Sequence, residues 1–158
     1  MRMAHRLSSS LAALLLCSVL AAGGAQAADG YFWFTQRPQY VVPPGPPLEH
    51  LALGVRYDRG KGVPQNSGVA AAYYFSAAAR GVPEAQYNIG RMYLEGKTVA
   101  RDFVLAHMWF NLAVAAYPRG ATEKRRQAIL VRAVVEKKMT VEQVSEAQKL
   151  ALEWRPLY

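Results

Sequence analysis

Displacing the sequence by 36 residues lays Leu48–Pro83 on Glu84–Arg119, and the two stretches match. Gly54/Gly90, Tyr57/Tyr93, Gly60/Gly96, Lys61/Lys97, Val63/Val99, Ala70/Ala106, Ala77/Ala113 and Ala79/Ala115 are identical pairs. Leu53/Ile89, Asn66/Asp102, Tyr73/Trp109 and Tyr74/Phe110 are similar ones. A period of this length confines the chain to stacked units, each unable to bury its apolar face alone. Within a unit the repeated residues predict two helices. Gly60 and Gly96 stand where a first helix should end, since glycine accepts the left-handed conformation that closes it. Asn66 and Asp102 stand where a second should begin, as N-caps. Leu53 with Tyr57, and Ile89 with Tyr93, share a helical face at i, i+4. The small Gly54, Gly90, Ala70, Ala77, Ala106 and Ala113 let helices approach closely, and the rings of Tyr73, Tyr74, Trp109 and Phe110 fill the layer between them.

The segments on either side differ in kind. Met1–Ala27 has the form of a secretory signal peptide: Arg2 and Arg6, then the uncharged run Leu11–Ala22, then Ala25-Gln26-Ala27 as a cleavage site. The run is shorter than the roughly 20 apolar residues of a membrane span. Cys17, the single cysteine, follows Leu16 and reads as part of that run rather than as a lipidated cysteine. Cleavage after Ala27 would leave a chain without cysteine or transmembrane anchor, in the periplasm or secreted. Residues 28–47 carry Tyr31-Phe32-Trp33-Phe34 and the prolines Pro38, Pro43, Pro44, Pro46 and Pro47, which predict an extended arm. The expectation is that this arm lies back on its own helices instead of carrying its aromatics outward. Residues 119–158 predict two capping helices. Thr122–Lys138 has an apolar face through Ala128, Val131, Val134 and Val135. After a capping box at Thr140 and Gln143, a stripe of Val141, Val144, Ala147, Leu150, Ala151 and Trp154 runs toward Pro156.

Two segments carry a family resemblance. Ala85-Gln86-Tyr87-Asn88-Ile89-Gly90-Arg91-Met92-Tyr93-Leu94-Glu95-Gly96 resembles the first helix of the Sel-one-like repeat, a relative of the tetratricopeptide repeat. Ala106-His107-Met108-Trp109-Phe110-Asn111-Leu112-Ala113 resembles its second helix, and 48–83 shows the same order. Thr98 in place of Gly62, and Tyr117-Pro118 in place of Arg80-Gly81, imply that the second unit ends differently. The resemblance implies an all-α fold: a short right-handed α/α solenoid of two repeats (48–83 and 84–118) closed by the helices of 119–158. It also implies first helices lining a concave groove, and a protein or peptide partner bound there.

Signals for catalysis are weak. Gly90 and Gly96-Lys97-Thr98 have five residues between the glycines where a phosphate loop needs four. Gly60-Lys61-Gly62 follows no strand and lacks a third glycine. His50 and His107 form no His-Glu-x-x-His, and no Gly-x-Ser-x-Gly is present. No cofactor, metal site or catalytic residue is therefore predicted. Some secreted members of the family are associated with β-lactam binding or hydrolysis, so the resemblance leaves an envelope enzyme or a binder of β-lactam or peptidoglycan fragments as an alternative. Two surfaces are candidates. Asn88, Arg91 and Glu95, in line with Glu84, form one helical face, with an Arg91–Glu95 pair expected at i, i+4. Lys124, Arg125, Arg126 and Arg132 belong to a basic stretch, 119–138, that holds most of the excess of 19 Lys+Arg over 11 Asp+Glu. That excess suits an anionic envelope surface or an acidic protein; without a recognition motif it gives no support for nucleic acid. The expected function is a non-catalytic interaction module of the cell envelope.

Overall fold

The computed structural model describes residues 42–157. Six helices lie among them: α1 (Pro47–Arg59), α2 (Ser67–Ala78), α3 (Pro83–Glu95), α4 (Phe103–Ala116), α5 (Thr122–Glu136) and α6 (Val141–Glu153). No strand occurs among the described residues. The expected leader and most of the arm lie outside them.

The 36-residue repeat is physical as well as textual. α1 and α3 both open on proline, at Pro47 and Pro83, where the missing N–H costs no helical bond. Both close on glycine with positive φ, Gly60 at 66° and Gly96 at 68°. The Asn66 side chain accepts from the Val69 N–H at 3.0 Å, and Asp102 accepts from Leu105 N–H at 2.9 Å. The same bond then ties each second helix to its first: Asn66 N–H to Tyr57 O at 3.0 Å, Asp102 N–H to Tyr93 O at 3.1 Å. The second unit does end differently. Gly81 closes the first unit with φ 82°, whereas Tyr117 leaves α4 in extended backbone.

Packing follows a ladder: α1 on α2, α2 on α3, α3 on α4. Glycines set the spacing within each pair. A Cβ on Gly54 would lie 2.6 Å from the Tyr74 ring, and one on Gly90 3.0 Å from the Phe110 ring. Ala70, Ala77, Ala106 and Ala113 are fully buried. Between the units, Phe75 meets Tyr93 and Trp109 edge-on. The result is an all-α solenoid with a continuous core through α2, α3 and α4.

The C-terminal part departs from the expected stripes. α5 and α6 each pack chiefly on α4. Ala128 and Val135 are buried and Val131 partly so, but Val134 is 52% exposed. Val141, the first residue of α6 after the capping box at Thr140–Gln143, is 81% exposed. α6 stops at Glu153, so Trp154 is not the end of a helical stripe. It turns in extended backbone toward Gly81, and Leu157 N–H donates to Ala79 O at 2.7 Å. At the other end, Gly45 lies between α1 and the turn that follows α2. Arg80 donates to Gly45 O, and Gly45 sits so close over His50 that a Cβ there would be 2.8 Å from Nε2.

Candidate functional site

The first helices of successive units are joined side by side by charges. Arg91 of α3 donates to Asp58 of α1 at 2.8 Å. Lys124 of α5 reaches back to Glu84 of α3 at 2.6 Å. The face of α3 that carries Glu84, Asn88, Arg91 and Glu95 is thus bounded by α1 on one side and α5 on the other.

Arg91 is placed more firmly than its helical position implies. Its spacing suggests a pairing with Glu95, and that contact exists, but at 3.9 Å. The shorter bond goes to Asp58, whose Oδ2 also accepts from the Tyr74 hydroxyl at 3.3 Å. Burial, reinforced by the Asp58 charge, pushes the Tyr74 hydroxyl well above the ordinary tyrosine range, so it stays a donor. Asp58 therefore collects α2 and α3 at the end of α1. In the second unit the equivalent residues are Leu94 and Phe110, neither able to make the bond. This polar node belongs to the junction between units, and the sequence signal for it was the loss of repetition at Asp58 and Tyr74. Asn88 remains half-buried on the same face, with Glu95 exposed.

The predicted basic patch divides. Lys124 is engaged with Glu84 as above. Arg125 Nε donates to Val114 O at 3.2 Å, which holds α5 to the end of α4. Arg126 lies 3.7 Å from Glu123 on its own helix. Arg132 turns inward and donates to Asn111 of α4. The four residues thus do not form one free cationic surface.

Both histidines among the described residues, His50 and His107, are buried. His50 is 2.8 Å from the Ser76 hydroxyl, packed edge-on against Tyr73 and covered by Gly45. This hydroxyl–imidazole pair ties α1 to α2. His107 lies on α4 with Nε2 3.7 Å from the Glu136 carboxylate, close to Arg132. Burial and then the Arg132 charge lower its pKa below the usual 6.5, outweighing Glu136. Its Nδ1 and the Arg132 Nε are buried without a hydrogen-bond partner. Among the described residues no group of three or more His, Cys, Asp or Glu is placed to hold a metal ion. Among them, too, no helix is long and apolar enough to cross a membrane.

The fold and its repeat have known counterparts. A family model described as the Sel1 repeat matches at residues 50–82 and at 83–116. Among solved structures, the chain is similar to a protective antigen present in uropathogenic Escherichia coli strains, which displays an SLR fold. The two share 31% sequence identity with a TM-score of 0.58, over 70% of this chain. The matched region spans 22% of that antigen's length. A comparison with curated proteins gives no match. Sel1 repeats generally mediate protein–protein interaction.

Proposed function

The chain carries two Sel1 repeats and is a Sel1-like repeat protein; from that premise we propose that it is a non-catalytic interaction module of the cell envelope. It binds a protein or peptide segment across its first helices. The observation that supports this most is the lateral joining of α1, α3 and α5 through Asp58–Arg91 and Glu84–Lys124. Rigid neighbouring helices with a polar row between them lower the ordering cost of binding an extended or helical segment. On this reading Asn88 offers an amide that can donate and accept. The part-exposed Arg91 guanidinium and the Glu95 carboxylate supply further polar contacts.

The envelope location rests on the leader-like Met1–Ala27. N-terminal sequencing of the protein from the periplasmic fraction should give Ala28 as the first residue. The binding proposal is tested by in-cell crosslinking of wild type beside an Asn88→Ala/Arg91→Ala variant. A discrete protein partner captured by wild type and lost in the variant is the expected result. Capture unchanged in a folded variant would remove the binding from this face.

A further inference from the structure

α5 is placed as the first helix of a third unit that has no second helix. α3 packs on α2 and is then covered by α4; α5 packs on α4, but α6 turns back to α4 instead of covering it. Position by position the difference is plain. The eighth residue of α1 is Gly54 and that of α3 is Gly90, each pressed by a ring from its own second helix. The eighth residue of α5 is Ile129, and it is 39% exposed. Leu130 and Val134, beside it, are 55% and 52% exposed.

The charges around this patch are arranged rather than scattered. At i, i+4 spacing, Arg125–Ile129–Ala133 and Arg126–Leu130–Val134 form two adjacent rows on α5, and Lys137 and Lys138 follow at the same spacing in the turn that closes the helix. Each row, so extended, has two apolar residues in the middle and a cation at either end. All eight residues are exposed. Arg125 holds Val114 O through Nε alone, and Arg126 meets Glu123 only at 3.7 Å, so both retain N–H groups for another carboxylate.

We propose that this edge of α5 docks an acidic amphipathic helix of a partner protein. The partner's apolar stripe would cover Ile129, Leu130, Ala133 and Val134, and its carboxylates would meet the arginines at one end and the lysines at the other. The incoming helix takes the place a second helix occupies in the two complete units. A second copy of the chain is disfavoured as occupant, because the same edge would oppose cation to cation. An anionic membrane is disfavoured too, because four apolar side chains in two turns offer little area for interfacial insertion. This surface is separate from Asn88 and Arg91, so it stands or falls independently of the groove.

The test uses the full chain and two fluorescent synthetic helices of about four turns. Both carry a leucine stripe; one has glutamate pairs at its ends and the other lysine pairs. The glutamate helix should bind at least about tenfold more tightly than the lysine helix, and the preference should shrink in high salt. Leu130→Ser/Val134→Ser should abolish binding, and Lys137→Glu/Lys138→Glu should weaken the glutamate helix and strengthen the lysine one. Asn88→Ala/Arg91→Ala should leave it unchanged. Unaltered circular dichroism would show that these surface variants are folded. Three results would overturn the proposal: no preference between helices, binding to phosphatidylglycerol vesicles in place of the glutamate helix, or self-association that Leu130→Ser/Val134→Ser removes.

Discussion

Gly54 and Gly90 hold the two helix pairs at ring-contact distance, and they differ in how much room remains. Alanine would ordinarily strengthen a helix by about 1 kcal/mol over glycine. At Gly54 the added methyl would sit 2.6 Å from the buried Tyr74 ring, against 3.0 Å from Phe110 at Gly90. Overpacking costs typically about 1–3 kcal/mol, so Gly54→Ala should lower stability in urea titration, and by more than Gly90→Ala. The reverse order would contradict the spacing role. Asp58 and Arg91 form the other decisive residue pair. Their side chains are 22% and 39% exposed, so solvent discounts the attraction. A double-mutant cycle with Asp58→Ala and Arg91→Ala should give a coupling of about 0.5–1 kcal/mol; zero coupling would show the contact to be incidental. The glycines and caps were legible because they recur at a fixed interval. The Arg91–Asp58 bond was not: helix periodicity offers Arg91 only partners on its own helix, and Asp58 lies 33 residues away.

At the scale of elements, the N-caps and the α4–α5 contact carry distinct predictions. Asn66→Ala and Asp102→Ala each remove an acceptor for an amide at a helix start and should cost about 0.5–2 kcal/mol, measured by thermal or urea unfolding. The α4–α5 contact contains His107, buried beside Arg132 and kept neutral. Its pKa is lowered on folding, so the unfolded chain binds more protons once the pH falls through about 6.5. Stability should therefore decline as pH drops below that value, with a slope of at most about 1.4 kcal/mol per pH unit from this group. His107→Gln should flatten that part of the profile; an unchanged slope would assign it to other groups. The apolar periodicity of α5 was visible in the sequence, but not which residues it would bury. Val134 and Val135 are neighbours, and only the angle at which α5 meets α4 decides that Val135 goes in and Val134 stays out. The same holds for Val141: the capping box before it was legible, but the docking of α6 leaves this residue of the apolar stripe exposed.

At the largest scale, the described residues form a two-unit stack with a helical cap, and Gly45 and Leu157, near the two ends of the described chain, are tied to one corner. Gly45 is held by Arg80, and Leu157 by Ala79, while Trp154 packs at Gly81 and against the core. The last residues thus link the cap to the junction of the two units. Deleting 154–158 should lower stability, by less than the about 3–5 kcal/mol of truncating a core aromatic because Trp154 is only half-buried, and should make α6 the first element to exchange its amides. Unchanged exchange in α6 would show the tail to be ornamental. That long-range return could not be seen in the sequence, where Pro156 only marks a helix end. The repeat, by contrast, exposed the stacking of α1 to α4, because each unit must use its neighbour to bury its rings. The central claim is that the face shared by α1, α3 and α5 is the one that engages a protein. The most direct measurement places a photo-crosslinking residue at Asn88, and separately at Lys149 on α6, and irradiates living cells. The account predicts one discrete crosslinked partner from position 88 and none from 149; equal capture from both positions, or capture from 149 alone, would contradict it.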